Sequence, residues 1–359
     1  MKITNVKIER FQVPLSEAFR VTFLVIDKMD NWIVQIETDE GIYGLGSAAP
    51  LPFVTGETTE SCYEILKLFA TGLIGRDPMD IAGAHQMMDS LIAGNGSAKC
   101  AIDIALYDII GKKLGKPVYQ VLGGESGQVH NDITIGIDAP EKMAENADVL
   151  VHQKGFDILK VKIGLDLQSD IEALNLIRQK VGDRVRIRVD ANQGYTVDTA
   201  LKALDAFRTI GIDAMEQALP AWDFDGAAEL MKCNKSGVAL MLDESIHTVH
   251  DARRAAEHHC GDYFNIKLMK CGGLYHGAQI ADIAEEHGLY CMVGCMLENK
   301  ISITAGVSLV AAKKSIVEAD CDSFMLLAGG DDGIAGGFER NGGQFHLLDK
   351  PGLGIDLKL

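Results

Sequence analysis

Eight short apolar runs recur along the second half of the chain, and each has the length and β-branched composition of a buried strand. The segments between them, such as SDIEALNLIRQKVG and YHGAQIADIAEEHG, carry apolar residues at helical spacing, and Gly288 is a helix-stop signal after the second. The pattern therefore predicts alternating strands and helices. The eight runs are DITIGI (132–137), DILKVKI (157–163), VRIRVD (185–190), IDAMEQ (212–217), VALMLD (238–243), YFNIKL (263–268), LYCMVG (289–294) and SIVEAD (315–320).

The charged residues that close these runs are evenly spaced. The intervals from Lys162 to Asp190, Glu216, Asp243 and Lys267 are 28, 26, 27 and 24 residues, which suits one strand, one helix and two loops. Eight such units predict an α/β fold of the (β/α)-barrel type, a modified TIM barrel. A doubly wound open sheet is the alternative, but no GxGxxG turn supports it.

The two ends of the chain have a different pattern. Strand-like NVKIERFQVPL and NWIVQIETDEGIYGLGSA precede a helical block, SAKCAIDIALYDIIGKKLG, and TDEG (38–41) is a hairpin-turn signal. We therefore expect an α+β capping domain over residues 1–125, a catalytic barrel over 126–322, and a strand-like C-terminal segment, 323–359, that returns to the capping domain.

Composition narrows the possible partners and the compartment. A formal net charge of −17 disfavours nucleic acid, and no apolar run is long enough to cross a membrane. The eight cysteines include no CxxC pair, and the N-terminus has no signal-peptide pattern, so we expect a cytoplasmic protein with reduced thiols. We also expect a homo-oligomer that binds a small molecule, and no membrane or nucleic-acid partner.

Three carboxylates and several lysines end the predicted strands, where the chemistry of such barrels lies. Asp190, Glu216 and Asp243 would repel one another at one barrel mouth unless a cation binds between them, and three hard oxygen ligands suit Mg²⁺. We expect one divalent ion per subunit, with Mn²⁺ as a substitute. Glu244 either faces elsewhere or supports the ligands.

Lysines flank the carboxylates on both sides. Lys162 ends the strand before them and Lys267 ends the strand after them, while Lys160 shares the face of Lys162 because side chains alternate along a strand. Nearby positive charge is expected to lower the pKa of a lysine toward the range of a general base. Lys270, in the KLMK turn, is expected to face outward.

These residues resemble the enolase superfamily, in its muconate-lactonizing subgroup. KVK, DANQGY, EQ, DES, NIKLMKCGG and MVGCMLE occur in the order and at the spacing of that family, over the whole chain. One departure is EQALP, which is longer than the usual EQP. The resemblance implies an enolase-type barrel with a capping domain, in which Lys162 and Lys267 move a proton and an enediolate is stabilised by Mg²⁺.

Within this subgroup the chain is similar to dipeptide epimerases. Asp320 and Asp322 match the Asp-x-Asp motif that holds a substrate ammonium, although the pair could instead cap the following helix. The resemblance also implies substrate contacts by Thr134, Lys160, Cys295 and Leu297. Relatives specific for Ala-Glu carry an arginine in a capping loop where this chain has Leu24; the specificity loop here contains Phe19, Phe23 and Leu24.

The resemblance therefore predicts an isomerase: a Mg²⁺-dependent dipeptide epimerase that inverts the α-carbon of the C-terminal residue by two-lysine 1,1-proton transfer. We expect hydrophobic C-terminal residues to be preferred over Glu; if Glu57 or Glu298 faces the site, a basic side chain is expected instead. The alternatives are o-succinylbenzoate synthase, N-acylamino-acid racemase or muconate cycloisomerase, whose substrates have no free ammonium. A non-catalytic structural or binding protein is a more remote alternative.

Overall fold

The computed structural model describes residues 1–21, 24–330 and 332–359. Its N-terminal part is a three-stranded antiparallel sheet, in the order β1-β2-β3, covered by helices. The turn after β2 forms at TDEG, where the Thr38 N–H donates to the Ile42 carbonyl, as the sequence predicts. These elements are β1 (Ile3–Val21), β2 (Leu24–Thr38), β3 (Tyr43–Ala48), α1 (Pro52–Thr55), α2 (Thr59–Leu73), α3 (Ile81–Leu91), α4 (Gly96–Leu114) and α5 (Val118–Val121).

Helix α4 joins this sheet to the rest of the molecule. It is buried on nearly all sides, because one side packs with α2 and α3 while Cys100 and Ile104 belong to the core of the barrel. Strand β3 lies directly on it: a Cβ atom at Gly44 or Gly46 would overlap the backbone of α4. The close contact that these glycines permit fixes the sheet against the barrel.

The second part is an eight-stranded parallel barrel whose strands follow one another in sequence order from β5 to β12. The Asp132 N–H donates to the Ala319 carbonyl (3.1 Å) and links the first strand region to the last. The predicted barrel is confirmed, and the doubly wound sheet is excluded. The strands are β5 (Ile133–Ile135), β6 (Ile158–Lys162), β7 (Arg186–Asp190), β8 (Ala214–Glu216), β9 (Ala239–Leu242), β10 (Tyr263–Lys267), β11 (Tyr290–Gly294) and β12 (Ile316–Asp320).

Helices surround this barrel and cover the outward-facing apolar residues of its strands. On β6, Leu159 and Val161 join the apolar core, so the alternating Lys160 and Lys162 point into the barrel. The helices are α6 (Pro140–His152), α7 (Leu167–Val181), α8 (Val197–Ile210), α9 (Phe224–Cys233), α10 (Val249–Glu257), α11 (Leu268–Cys271), α12 (Leu274–Glu286) and α13 (Lys300–Ala312), followed by a 3₁₀ turn at Ser323–Leu326.

The C-terminal segment makes contacts with both parts. Strands β13 (Phe338–Asn341) and β14 (Gln344–Leu347) form a small antiparallel sheet with β4 (Gln128–His130), rather than with the N-terminal sheet. The last residues then reach the N-terminal part, where the Leu353 N–H donates to Asp108 (2.7 Å) and the Leu359 N–H donates to Gln35 (2.9 Å).

Two further findings concern the whole described chain. No helix within the described residues combines the length and apolar character needed to span a bilayer. All eight cysteines are free thiols, and Cys233 is the exposed one among them.

Candidate active site

Three buried carboxylates lie together at the carboxyl ends of adjacent barrel strands. Asp190 ends β7, Glu216 is its register partner at the end of β8, and Asp243 directly follows β9. One oxygen atom of each lies within 4.8 Å of the others. Three hard, negatively charged oxygens at this separation fit a divalent ion such as Mg²⁺.

The charges around these carboxylates set their protonation. Burial raises the pKa of Glu216, and repulsion by Asp190 raises it further, to about 8. Burial also acts on Asp190, but the ammonium groups of Lys162 and Lys160 hold its pKa at about 2. The nearby lysines therefore do not fully offset the burial of Glu216 and its repulsion by Asp190, and a bound cation would relieve both.

Lys162 and Lys267 lie on opposite sides of this cluster. β6 and β10 are four strands apart in an eight-stranded barrel, so the two lysines face each other across its mouth. The Lys162 Nζ donates to Asp190 Oδ2 (2.6 Å), and the Lys267 Nζ donates to Asp243 Oδ2 (2.7 Å). Burial lowers the pKa of Lys267, but the contact with Asp243 raises it above its ordinary value, which is opposite to the direction expected from the sequence.

Lys160 connects the carboxylate cluster to a second acidic pair. Its ammonium group is buried, with 1% of the residue exposed, and it contacts Asp320 (2.7 Å), Glu216 (2.9 Å) and Asp190 (3.2 Å). A cation with three carboxylate partners is strongly held, and burial is more than offset, so the pKa of Lys160 is raised.

Lys270 differs from the sequence expectation, which placed it on the surface. Its side chain is fully buried and donates to Asp243 Oδ1 (2.5 Å), to the Asp243 carbonyl and to the Asn265 carbonyl (3.1 Å). Because α11 begins directly after β10, its single turn directs Lys270 back beneath Asp243 rather than outward.

Other supporting residues were not identified from the sequence. Asn265 donates through Nδ2 to Glu216 Oε1 (2.7 Å), and Asn192 donates through its backbone N–H to Asp190 Oδ1 (2.9 Å) and through Nδ2 to Glu244 Oε1 (3.1 Å). Asn265 is two residues before Lys267, so strand alternation alone could have assigned it to the same face. No local signal of that kind exists for Lys270.

Asp320 and Asp322 lie beside this cluster at the end of β12. Asp322 precedes the 3₁₀ turn but makes no side-chain cap with it; instead it accepts from the Thr134 N–H (2.6 Å), and Thr134 Oγ1 donates to Asp320 (3.3 Å). Burial and the neighbouring Asp320 raise the pKa of Asp322 to about 6. The pair is therefore oriented by Thr134 rather than used as a helix cap.

One cavity beside the carboxylate cluster is lined by both charged and apolar side chains. Lys160, Lys162, Lys267, Asp320 and Asp322 line its charged side together with Thr134 and Cys295. The apolar wall is formed by Leu15, Ile26, Leu51, Val54, Met296, Leu297 and Leu326. The cavity can therefore bind a molecule with charged groups at one side and apolar groups at the other.

Phe19 and Leu24 of the predicted specificity loop belong to β1 and β2, which pair as antiparallel strands. Phe23 lies outside the described residues, as do the side chains of Phe19 and Leu24. The described part of these two strands reaches the cavity through Leu15 and Ile26, and Leu15 also forms an isolated β-bridge with Leu327.

Glu57 and Glu298 do not line this cavity. Glu57 accepts from the backbone N–H groups of Ser97 (3.0 Å) and Ala98 (3.1 Å) at the start of α4. Glu298 accepts from the Met296 N–H (2.8 Å). Both carboxylates lie outside the cavity lining and are used by backbone N–H groups, so neither favours a basic substrate side chain.

Comparison with known proteins is consistent with this geometry. Residues 3–123 match the family described as mandelate racemase / muconate lactonizing enzyme, N-terminal domain, and residues 142–359 match the enolase C-terminal domain-like family. An L-Ala-D/L-Glu epimerase from Clostridium acetobutylicum is 37% identical over 99% of both chains. An N-succinyl-L-Arg/Lys racemase from Bacillus cereus is 37% identical over 99% of this chain and 96% of its own.

A third relative is a hydrophobic dipeptide epimerase from Enterococcus faecalis, 40% identical over 90% of this chain and 91% of its own. The solved structure of an Enterococcus faecalis dipeptide epimerase, in complex with Mg and the dipeptide L-Leu-L-Tyr, superposes with a TM-score of 0.96 at 39% identity and covers 99% of this chain and 100% of that one. The match extends across both parts of the chain, and the resemblance inferred from its motifs is confirmed: this protein belongs to the mandelate racemase / muconate lactonizing enzyme family of the enolase superfamily.

Proposed function

We propose that the protein is a Mg²⁺-dependent dipeptide epimerase, an isomerase that inverts the α-carbon of the C-terminal residue of a dipeptide. The observation that carries this proposal is the presence of Asp320 and Asp322 in the same cavity as Lys162 and Lys267. Two opposed lysines suit inversion of a carbon centre, and a buried carboxylate pair suits a substrate with a free ammonium.

Asp190, Glu216 and Asp243 are the proposed ligands of the metal ion, and Lys160 is the proposed contact for the substrate carboxylate. A bound divalent ion supplies positive charge near that carboxylate and so stabilises the negative charge that develops during proton removal. Lys160 adds a second positive charge, fixed by its three carboxylate partners, that needs no reorganisation during the reaction.

Lys162 and Lys267 are the proposed proton-transfer groups. The lysine on one side, as a neutral amine, takes the proton as the Cα–H bond breaks and becomes an ammonium. The positive charge of a bound divalent ion would favour that neutral form, opposing the contact with Asp243 that raises the pKa of Lys267. The lysine on the other side begins as an ammonium and donates its proton to the opposite face of the carbon. The two groups exchange roles for the reverse reaction, which the opposed positions of β6 and β10 support.

The remaining proposed contacts orient the dipeptide. Asp320 and Asp322 accept hydrogen bonds from its α-ammonium, and Thr134 holds both carboxylates in position. Cys295 and Leu297 contact the substrate at the cavity wall. Burial and the neighbouring carboxylates raise the pKa of Cys295, so it is a neutral wall residue rather than a nucleophile.

The apolar wall supports a hydrophobic C-terminal side chain. Each buried methylene contributes about 0.8 kcal/mol, whereas an unpaired buried carboxylate costs several kcal/mol. The described side chains of the wall include no cation that could pair with a glutamate side chain. The name of the Enterococcus faecalis relative, a hydrophobic dipeptide epimerase, agrees with this preference.

N-acylamino-acid racemisation is the second candidate, because the Bacillus cereus relative is an N-succinyl-L-Arg/Lys racemase of similar identity. An N-succinyl group replaces the ammonium by a neutral amide and adds a carboxylate. Such a carboxylate beside Asp320 and Asp322 would be repelled, which favours the dipeptide.

The test is incubation of the protein with a dipeptide library and with N-succinyl amino acids in deuterated water containing Mg²⁺. A dipeptide substrate gains one mass unit at its α-carbon and forms its epimer; removal of the divalent ion by a chelator abolishes both changes. Labelling of the N-succinyl amino acids alone would refute the dipeptide proposal, and no labelling of any compound would refute both candidates.

We also propose the division into a capping domain (1–125), a catalytic barrel (126–322) and a returning C-terminal segment (323–359), with assembly into a homo-oligomer. The contacts of Leu353 and Leu359 with the N-terminal part support the return of the tail.

Eight free thiols favour a reducing compartment, the cytoplasm. Sedimentation analysis tests the oligomer.

A further inference from the structure

Two polar side chains at the barrel mouth, Asn192 and Glu244, have no role in the chemistry described above. Asn192 follows Asp190 by two residues, and Glu244 directly follows Asp243. Both line the cavity, although only 6% and 7% of these residues is exposed. The hydrogen bond from Asn192 Nδ2 to Glu244 Oε1 (3.1 Å) joins them into one pair beside the carboxylate cluster.

Each member of this pair has a buried acceptor atom with no donor. Asn192 Oδ1 and Glu244 Oε2 have no hydrogen-bond partner among the described residues. Neither Lys162 nor Lys267 donates to these two atoms; Lys162 donates to Asp190 and Lys267 donates to Asp243. A buried acceptor without a donor is unfavourable, so two of them in one hydrogen-bonded pair indicate that a ligand supplies donors at this place.

Asn192 adopts an unfavourable backbone conformation in the position from which it presents its unpaired acceptor, Oδ1. Asn192 has a φ of 40°, in the left-handed region that most residues avoid, and its N–H holds Asp190 Oδ1 (2.9 Å). The same short turn therefore orients a metal-ligand candidate through the backbone and an unpaired acceptor through the side chain.

We propose that Asn192 and Glu244 accept hydrogen bonds from water molecules bound to the divalent ion. The inference rests on the proposed metal centre. Mg²⁺ retains several water molecules when proteins bind it. The oxygen of such a water faces the ion, so its two O–H groups point away and need hydrogen-bond acceptors. Asn192 Oδ1 and Glu244 Oε2 are two such acceptors, on residues that lie next to Asp190 and Asp243 in the chain. No donor among the described residues bonds to either atom.

Glu244 acts through water rather than as a direct ligand. It does not belong to the group of described carboxylates, Asp190, Glu216 and Asp243, whose oxygen atoms lie within 4.8 Å of one another. Its Oε1 is also occupied by Asn192. Residues that support metal ligands from the next layer typically contribute 10- to 100-fold to metal affinity.

The experiment measures metal binding directly, with no substrate present. Mg²⁺ affinity is determined by calorimetry for the wild-type protein and for Glu244→Gln and Asn192→Gly. Glycine is chosen because it adopts the left-handed backbone without strain and leaves the charge unchanged. Glu298→Gln is the matched control, since it neutralises a buried carboxylate that is outside the cavity.

We expect each of the two variants to bind Mg²⁺ about 10- to 100-fold more weakly and the control to bind it as the wild type does. Mn²⁺ then reports the number of bound waters, through the broadening of its paramagnetic resonance lines in ¹⁷O-enriched water. This number should be the same in the wild type and both variants.

Two results would overturn the proposal. Unchanged Mg²⁺ affinity in Asn192→Gly and Glu244→Gln means that the pair does not serve the ion. One additional water on Mn²⁺ in either variant means that the replaced residue is a direct ligand. A wild-type protein that binds Mg²⁺ but epimerises no dipeptide contradicts the proposed function alone, whereas no wild-type binding of either ion contradicts both.

Discussion

Replacement of Lys267 by Ala is the sharpest test of two-sided proton transfer. Lys267 ends β10, opposite Lys162 on β6, and it is the only described lysine on that side of the cavity lining. Lys160, the remaining lysine of the cavity, is on β6 and is held by three carboxylates. No other described ammonium group can therefore replace Lys267 at its face of the substrate.

The expected loss follows from these contacts. General acid–base catalysis by one positioned group contributes about 10²- to 10⁴-fold, which corresponds to about 3–5 kcal/mol of barrier, and epimerisation should fall by at least this factor. Asp243 does not become an unpaired buried charge in the variant, because Lys270 still donates to its Oδ1 (2.5 Å). The loss therefore reports the missing proton carrier rather than collapse of the cluster.

The assay follows α-hydrogen exchange in deuterated water by proton NMR, starting separately from each epimer. Lys267→Ala should exchange one epimer without inverting it, and Lys162→Ala should exchange only the other. Lys267→Arg serves as the control, because it retains the positive charge beside Asp243 but remains protonated and cannot act as a base. Near wild-type epimerisation by Lys267→Ala or Lys267→Arg would refute two-lysine transfer, as would exchange of the same epimer by both alanine variants.

Three further predictions concern specificity, pH and stability. The kcat/KM for Ala-Leu should exceed that for Ala-Ala by up to about 50-fold, because three added carbons at about 0.8 kcal/mol each are buried against the apolar wall. It should also exceed the values for Ala-Glu and Ala-Lys, and a clear preference for Ala-Glu would contradict the apolar wall. The KM for a dipeptide should rise as the pH falls through about 6, because protonation of Asp322 removes a negative partner of the substrate ammonium. The Asp322→Asn variant should have a high KM without this pH dependence, and an unaltered pH profile in the variant would exclude Asp322 as its origin. Glu57→Gln should lower the free energy of unfolding, measured by urea denaturation, by about 1–2 kcal/mol, because it replaces a carboxylate that accepts two N–H hydrogen bonds at the start of α4. The kcat should remain unchanged, and equal stability of the variant would show that this contact is not stabilising.

The sequence by itself determined the barrel and the identity of its charged strand ends. Each strand–helix unit needs a nearly constant length of chain, so the 24- to 28-residue intervals between Lys162, Asp190, Glu216, Asp243 and Lys267 were sufficient to predict the architecture. Alternation along a strand is equally local, and it correctly assigned Lys160 and Lys162 to one face. It would also have revealed Asn265, had the same rule been applied two residues before Lys267.

Only the tertiary structure decided where several of these charges find their partners. Lys160 Nζ and Asp320 Oδ2 are 2.7 Å apart although the residues are 160 apart in sequence, and Glu57 accepts from the N–H of Ser97, forty residues later, at the start of α4. The sequence places Lys270 in the KLMK turn and so predicts that it faces outward, whereas packing beneath Asp243 buries it. The pKa of Lys267 is raised by its contact with Asp243. The sequence could not predict this direction, because the effect of a charge depends on its distance from neighbours that are remote in the chain, and the sequence does not contain those distances.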